Sequence, residues 1–421
     1  MRPTREKRSH TSLGAGRRIS HTLRETSRQT DLTERTGKNV TVTIAILKET
    51  QPDEKRVAMI PAVAQRLAHL GATLAVEQGA GQAATYPDAT YTQAGVSLVA
   101  DRTSLVAQAD IVLAVQPPPL EVVQAMKPGS LLVSFLYATS QPDLVRALRD
   151  QRVTTFAMEM IPRISRAQAM DALSSQAALA GYYAPLLGCV HMQKILPMMT
   201  TAVGSLRAAH VLVMGLGVAG LQALATAHRL GAICEGYDVR PETREEAASV
   251  GAKFVDTGVD ARGAGGYARE LTAEEKAKVR TVLSQHIAQA DMIITTASVP
   301  GRRAPRLIDA QQLAGMKEGS VVVDMGAPNG GNCEGTKAGE IVRVGPVTLV
   351  GPTNLPSCLA AQASELYAKN ILNLLQQVLH DGVLKPDFTD DVIAGTTLTH
   401  DGTITNPAIR QALEPAPAEK A

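Results

Sequence analysis

The sequence predicts an α/β protein made of two doubly wound, parallel-sheet (Rossmann-like) domains. The chain has 421 residues, 45% of them hydrophobic, which is enough apolar side chain for two separate cores. Short apolar runs typical of buried strands alternate with segments of helical spacing, the pattern of a parallel sheet covered by helices. One segment, residues 211–240, combines a strand, a glycine turn, a helix and a second strand.

The first domain is predicted to comprise residues 40–173 and 362–412. Its apolar runs predict a helix at 62–70 and strands at 41–47, 72–77, 111–115 and 131–135. An amphipathic helix at 364–379, with its apolar residues on one face, is expected to return to this domain. The domain has no G-x-G-x-x-G motif, so we do not expect it to bind a dinucleotide in the usual way.

The second domain is predicted to comprise residues 174–361. Helices are expected from about 219, at 245–248 and at 273–289, and strands at 211–214, 253–255, 292–296 and 320–324. A further strand should begin at Ala232 and lead to Asp238.

Three glycines after the strand at 211–214 fit the G-x-G-x-x-G pattern of a dinucleotide-binding turn. Gly215 permits a tight turn, Gly217 lets the backbone approach a pyrophosphate, and Gly220 lets the following helix pack on the strand. The N-terminus of this helix then faces the phosphates, and Gly231 is placed to cap its C-terminus. A glycine turn can also serve packing alone, but the complete strand, turn, helix and strand favour nucleotide binding.

The acidic residue Asp238 indicates which nucleotide is bound. It lies about 20 residues beyond the glycines, where a carboxylate can accept both ribose hydroxyls and repel a 2′-phosphate. Arg240, two residues later, could instead tolerate that phosphate. The sequence therefore favours NAD(H) over NADP(H) as the cofactor of the second domain.

The positive net charge resides in residues 1–39. This segment has ten Lys or Arg against four acids, which is +6, so the rest of the chain carries −4 of the total of +2. It lacks apolar periodicity and is rich in Arg, Ser and Thr, so we expect it to be disordered; residues 413–421 are expected to form a flexible tail. It could be a transit peptide, despite its acids, or a nucleic-acid-binding arm, despite its lack of aromatic residues. We favour a third explanation, that the native chain starts at Val40.

Cysteines and hydropathy exclude further classes of protein. The four cysteines are too scattered for a zinc site or a disulfide framework, so we expect no metal and a reducing compartment. No window of 18 residues is apolar without polar interruption, so the chain itself is not expected to insert into a membrane.

Two further segments have the composition of a chemical site. Residues 163–171 bring together Arg163, Arg166, Gln168 and Asp171, which could orient a nicotinamide or could equally form a solvated loop. Residues 258–267 insert a glycine-rich loop where a βαβ unit needs few residues. We interpret this loop as a mobile lid rather than a disordered insert.

Together these segments resemble the NAD(H)-binding component of proton-translocating NAD(P) transhydrogenase. The similar sequences, between about residues 41 and 404, are MGLGVAG, RISRAQAMDALSSQAALAGY, LPMMTTAVG, AGGYARE, ITTASVPG, GGNC and TNLPSCLAAQASELYAKN. The resemblance implies a soluble homodimer docked on a membrane-spanning subunit, and no nucleic-acid partner. It implies hydride transfer from NADH to NADP⁺ on a separate NADP(H)-binding beta subunit, driven by inward proton flow. The chain would then be cytoplasmic and peripheral, on the inner face of the bacterial plasma membrane.

The resemblance also assigns roles to residues. Arg163, Gln168 and Asp171 would form the catalytic loop at the nicotinamide and its ribose, with Gln168 reaching toward the second nicotinamide. The other expected NAD(H)-binding residues are Arg166, Ser174, Gly215, Gly217, Val218, Gly220, Asp238, Val239, Arg240, Gly266, Tyr267, Thr296 and Ser298. Among them Val218 would back the pyrophosphate, Gly266 and Tyr267 would belong to the lid, and Thr296 and Ser298 would flank the nicotinamide.

Alanine dehydrogenase resembles the same fold and is the nearest alternative. It shares Lys48-Glu49 and Arg56-Val57, but that family moves protons with a lysine and a histidine in the first domain. The corresponding segments here, residues 111–117 and 135–138, contain neither, whereas hydride transfer between two nicotinamides needs only positioning of the rings. A non-catalytic NAD(H)-sensing module is a third possibility; it would keep the glycines and Asp238 but need neither Gln168 nor the lid.

Overall fold

Two large, mostly parallel sheets covered by helices form the chain over residues 41–260, 269, 271–297 and 303–413, which the computed structural model describes. The predicted fold class, α/β with two doubly wound sheets, is confirmed.

The strands are short and mostly buried. In chain order they are β1 (Thr43–Ile46), β2 (Thr73–Glu77), β3 (Ser97–Val99), β4 (Ile111–Leu113), β5 (Leu131–Ser134), β6 (Thr154–Ala157), β7 (Met199–Thr201), β8 (Gly204–Leu206), β9 (His210–Met214), β10 (Ile233–Tyr237), β11 (Lys253–Phe254), β12 (Met292–Thr295), β13 (Val321–Asp324), β14 (Ile341–Val344), β15 (Val347–Val350), β16 (Leu379–His380), β17 (Val383–Leu384), β18 (Thr397–His400) and β19 (Thr403–Ile404).

Helices cover both faces of the sheets. They are α1 (Pro61–His69), α2 (Asp88–Gln93), α3 (Arg102–Gln108), α4 (Leu120–Ala125), α5 (Pro142–Asp150), α6 (Ala172–His191), α7 (Val218–Arg229), α8 (Thr243–Ser249), α9 (Ala273–Gln289), α10 (Ala310–Ala314), α11 (Ala360–Leu375), α12 (Asp391–Thr396) and α13 (Pro407–Leu413). Short 3-10 helices lie at Gln82–Ala84, Met158–Met160, Ser165–Met170, Ala327–Asn329 and Leu355–Leu359.

Both sheets have the same central strand order. It is β3-β2-β1-β4-β5-β6 in the first sheet and β11-β10-β9-β12-β13 in the second. The order reverses between β1 and β4, and again between β9 and β12. Open α/β sheets bind ligands outside the carboxyl ends of the strands at such a reversal, so the loops after these four strands are the expected ligand sites.

The edges of the sheets differ from the wholly parallel arrangement predicted from the sequence. The strand β18 pairs antiparallel with β6 and with β19 in the first sheet, and β14 pairs antiparallel with β15 in the second. The hairpins β7–β8, β14–β15 and β16–β17 were not predicted, because strands of two to four residues give little periodicity.

Most predicted elements are present, with small shifts at their ends. The predicted helix at 364–379 is the largest correction: α11 begins at Ala360 and ends at Leu375, because Leu379 pairs with Leu384 in a hairpin. Gly231 has a φ of +88° directly after α7, which confirms its predicted role as a cap. At the other end of the chain, Leu413 belongs to α13, and residues 1–39 and 414–421 lie outside the described part.

Two helices cross between the sheets. The helix α6 bonds through Gln176 to Arg56, in the loop after β1, and its Gly188 packs on Met292 of β12. The helix α11 then returns and packs its apolar face in the first core, with Tyr367 and Ile371 fully buried. No helix in the described ranges is long and apolar enough to cross a membrane.

Candidate functional site

The glycine turn after β9 has the shape of a nucleotide-binding site. Gly215 has a φ of +101°, which favours glycine, and its N–H donates to the carbonyl of Tyr237 (2.8 Å). A Cβ atom on Gly220 would lie 1.8 Å from the carbonyl oxygen of Gly215, so α7 approaches β9 this closely only with glycine there. A Cβ atom on Gly217 would meet nothing within 4 Å. This open space at the N-terminus of α7 fits a pyrophosphate.

Asp238 follows β10 beside the glycine turn, and its carboxylate already has partners. The N–H of Leu216 donates to Oδ2 (2.7 Å), and the Arg240 guanidinium donates to both oxygens, from Nε to Oδ1 (3.0 Å) and from Nη2 to Oδ2 (3.1 Å). The Asp238 side chain is 8% exposed, and its hydrogen bond raises the pKa of Arg240. A ribose bound here would therefore share Asp238 with Arg240.

Two apolar residues border this part of the site. Val218, the first residue of α7, is 46% exposed beside the turn. Val239 is partly buried against the second core. The exposed surface of Val218 is available to a bound ligand, whereas much of Val239 is used for packing.

The helix α6 connects the glycine turn with the polar loop at 163–171. A Cβ atom on Gly181 would lie 2.1 Å from the carbonyl oxygen of Ala219 in the first turn of α7, so the two helices touch here. Asp171, the N-cap of α6, is ten residues earlier, about 15 Å along the helix axis. The helix α6 therefore fixes the distance between the loop and the turn.

The backbone of the polar loop is held by hydrogen bonds. The carbonyl of Ala169 accepts the side-chain amides of Asn370 and Asn373 in α11, each at 2.9 Å. The carbonyl of Gln168 accepts the N–H of Asp171 (3.3 Å). These bonds fasten the loop to the helix layer of the first sheet.

Several side chains of the loop also have protein partners. Asp171 caps α6: its Oδ1 accepts the N–H of Ser174 (2.9 Å) and its Oδ2 accepts the Ser174 hydroxyl (2.6 Å). Arg166 forms ion pairs with Asp390 (2.8 Å) and Asp391 at the start of α12. In this structure Arg166 and Asp171 therefore stabilise the loop, and their predicted contacts with a cofactor stay predictions.

The side chain of Gln168 differs from its neighbours. It is exposed, and its amide has no hydrogen-bond partner within the part of the chain that the structure describes. Arg163 is exposed on the same loop. A fixed backbone that carries an unpaired amide suits the binding of a ligand carboxamide, because each amide offers both a donor and an acceptor.

The carboxyl end of β12 is tied to the glycine turn. The hydroxyl of Thr296 donates to the carbonyl of Gly215 (2.8 Å), directly at the reversal of strand order. The amide of Asn332 donates to Ala297 (2.8 Å) and Pro305 (2.7 Å), on either side of residues 298–302. Three predicted site residues lie outside the described residues: Gly266, Tyr267 and Ser298.

A second polar cluster lies at the reversal point of the first sheet. Arg56 donates from Nε to Glu54 Oε1 (2.8 Å) and from Nη2 to Oε2 (2.6 Å), and from Nη1 to Gln176 of α6 (2.9 Å). The amides of Gln116 and Asn354 donate to the same Glu54 carboxylate (2.8 and 3.0 Å). Burial opposes ionisation of Glu54, but the bonds and charge of Arg56 outweigh it and lower the pKa of Glu54 to about 2.

Sequence reasoning missed the residues that support the site. Asn370 and Asn373 hold the polar loop, and Gln176 and Asn354 join the two sheets through the cluster around Arg56. One signal was available: Asn370 is polar, yet it falls on the apolar face of the predicted helix, where it is 7% exposed.

Comparisons with known proteins give a consistent result. Two family models match, "Alanine dehydrogenase/PNT, N-terminal domain" over residues 45–180 and "Alanine dehydrogenase/PNT, C-terminal domain" over residues 184–407. The first of the chains that make up the NAD(P) transhydrogenase alpha subunit of Rhodospirillum rubrum is 42% identical over 377 residues, which cover 87% of this chain and 98% of the relative. A crystal structure of transhydrogenase from Sinorhizobium meliloti matches with a TM-score of 0.79 and 41% identity, covering 86% of this chain and 99% of that chain.

An alanine dehydrogenase is also similar, at lower identity. That of Halomonas elongata is 28% identical over 387 residues, which cover 88% of this chain and 96% of the relative. The chain is thus more similar to the transhydrogenase subunit than to this alanine dehydrogenase, over nearly the same length.

Proposed function

The chain belongs to the alanine dehydrogenase/PNT family, and we propose that it is the NAD(H)-binding component of a proton-translocating NAD(P) transhydrogenase. One observation carries this proposal. Gln168 presents an unpaired amide on a loop with a fixed backbone, and α6 links that loop to the glycine turn. An amide placed in this way is suited to orient a nicotinamide that lies across both features.

The proposed cofactor site extends from the glycine turn to the polar loop. The turn and Val218 would receive the pyrophosphate of NAD(H), and Asp238 with Val239 and Arg240 would bind the adenosine ribose. The nicotinamide and its ribose would contact Arg163, Arg166, Gln168, Asp171, Ser174, Thr296 and Ser298. Gly266 and Tyr267 would close over the bound nucleotide as part of the lid and exclude water.

The proposed reaction needs positioning rather than proton transfer. When bound, NADH supplies the hydride, which passes to NADP⁺ on a separate beta subunit. Gln168 would orient the donor ring so that the two rings approach to about 3–3.5 Å. In segments 111–117 and 135–138 the polar side chains are Gln116 and Tyr137. A carboxamide does not titrate, and a phenol has an ordinary pKa of about 10, so neither suits proton exchange near neutral pH.

We further propose that the chain functions as a homodimer. The hairpin β7–β8 carries Val203, which is 99% exposed at its tip, and Leu206, which is 53% exposed, and Met198 just before it is 71% exposed. A two-stranded hairpin with exposed large apolar side chains is marginal in water, and a second copy of the chain would cover it.

The proposed complex determines the location of the chain and its division into domains. Docking on a membrane-spanning subunit would make the chain peripheral on the cytoplasmic face of the bacterial plasma membrane, with proton translocation on other chains. Residues 174–361 would form the NAD(H)-binding domain, and residues 40–173 with 362–412 the first domain. The packing of α11 in the first core supports this division.

Oxidation of an amino acid, as in alanine dehydrogenase, is the second candidate function. The observation in its favour is the shared Arg56, whose guanidinium could bind a substrate carboxylate. Here Arg56 is already neutralised by Glu54 and is 4% exposed, so such a substrate would have to displace an internal ion pair.

A transhydrogenation assay distinguishes the candidates. NADH and an NADP⁺ analogue are supplied to the chain with and without the beta subunit of a relative, beside a control with alanine and NAD⁺. We expect transfer only with the added subunit. NADH formation that depends on alanine would support the second candidate, and normal NADH binding with neither activity would support a sensing module.

A further inference from the structure

Two amides on one face of α11 converge on a single carbonyl. Asn370 and Asn373 are three residues apart, so their side chains point in the same direction from the helix. Each donates from Nδ2 to the carbonyl oxygen of Ala169 at 2.9 Å. A carbonyl oxygen has two lone pairs, and here both have a donor. The peptide group one residue beyond Gln168 is therefore held from a different segment of the chain.

The two asparagines differ in their other contacts. Asn370 is 7% exposed, and its Oδ1 accepts the hydroxyl of Ser175 (2.7 Å) in the first turn of α6. The side chain of Asn373 is less buried, and among the described residues it donates only to Ala169. Asn373 can therefore be changed without leaving a second group unpaired, which makes it the better site for a test.

We propose that Asn370 and Asn373 are positioning residues for hydride transfer, because they fix the Ala169 peptide and thereby the direction of the Gln168 side chain. This inference rests on the proposed function. The side chain of Gln168 has no partner of its own within the described residues, so its direction depends on the backbone. A misplacement of 1 Å in such a site can slow the reaction about 100-fold.

The test uses the substitution Asn373→Ala in the full chain, assembled with the beta subunit of a relative. Single-turnover transfer from NADH to NADP⁺ is followed, and NADH binding is titrated separately. We expect a rate constant about tenfold lower with full amplitude, and an NADH Kd within about twofold of the unsubstituted chain. The control Gln377→Ala removes another amide from the end of the same helix, one that bonds only to the carbonyl of Asn373, and should change neither value. A normal rate for Asn373→Ala, or a normal rate with reduced amplitude, would overturn the proposal.

A double-mutant cycle shows whether Asn373 acts through Gln168. In a chain that carries Gln168→Ala, adding Asn373→Ala should slow transfer by less than about twofold, because the group being positioned is already gone. Independent effects that multiply would overturn the positioning role and leave the proposed function intact. Absence of transfer with the unsubstituted chain and its beta subunit would instead overturn the proposed function.

Discussion

Gly220 faces Gly215 so closely that a Cβ atom on Gly220 would stand 1.8 Å from the carbonyl oxygen of Gly215. This contact sets the distance between α7 and β9. Gly217 lies in the same turn, yet a Cβ atom there would meet nothing within 4 Å. Two glycines of one motif therefore differ in purpose: Gly220 permits packing, and Gly217 keeps space open.

Alanine substitutions should separate these two purposes. Gly220→Ala forces backbone apart and should lower the free energy of unfolding by about 1–3 kcal/mol or more. Gly217→Ala should leave stability nearly unchanged but raise the NADH Kd at least about tenfold, because its methyl group fills the space proposed for the pyrophosphate. Thermal unfolding and NADH titration measure the two effects. Normal NADH binding by Gly217→Ala would place the pyrophosphate elsewhere.

Asp238 should set the preference for NAD(H). Asp238→Asn removes the charge that would repel a 2′-phosphate and also loosens Arg240, which is then free to bind that phosphate. We expect NADH to bind about tenfold more weakly, and the preference for NADH over NADPH to narrow. Parallel titrations with both nucleotides measure this. Asp143→Asn, which breaks an exposed pair with Arg146, is the matched control and should bind both as before.

The hairpin β7–β8 should hold the dimer together. Val203→Asp puts a charge on a tip that is 99% exposed in one chain, so a proposed partner would have to bury it. Sedimentation velocity should show a dimer for the unsubstituted chain and a monomer for Val203→Asp. Val383→Asp, in the separate hairpin β16–β17, should remain dimeric. A Val203→Asp dimer of unchanged affinity would exclude the hairpin as the interface.

Glu49 should make stability depend on pH. Burial raises the pKa of Glu49 from 4.5 to about 7; the nearby Glu54 carboxylate adds to the shift, while backbone N–H groups and Arg56 oppose it. The folded chain therefore keeps a proton that the unfolded chain has lost between about pH 4.5 and 7, and stability falls as pH rises through this window.

Glu49→Gln should reduce this loss. Relative to Glu49→Gln, the unsubstituted chain should lose roughly 1–3 kcal/mol between pH 4.5 and 7, as measured by urea unfolding at several pH values. Glu318→Gln changes an exposed carboxylate and should leave the slope as it is. Equal slopes for the unsubstituted chain and Glu49→Gln would show that Glu49 ionises normally.

What the sequence could predict depended on distance along the chain. The strand, glycine turn, helix and second strand occupy thirty consecutive residues, and local sterics fix their arrangement, so Gly215 and Gly231 were predicted with their roles. The bond from Asn370 to Ala169 joins residues 201 apart, and it depends on how α11 returns to the first core. Local periodicity carries no information on such a contact.

The polar loop shows an intermediate case. Asp171 was singled out as a binding residue, whereas the structure shows it capping α6; its position before the helix, with Ser174 three residues later, was a cap signal that the chemical interpretation obscured. The ion pairs of Arg166 with Asp390 and Asp391 could not have been predicted, because α12 was not recognised as an element.

The most direct test of the account is the fate of deuterium on NADH. The chain and a beta subunit are supplied with NADP⁺ and NADH that carries deuterium at the transferred position of the nicotinamide, and the NADPH formed is analysed by mass spectrometry. Direct transfer between two positioned rings predicts NADPH that contains the deuterium and does not exchange it with water. Unlabelled NADPH, or no NADPH despite normal NADH binding, would contradict the account.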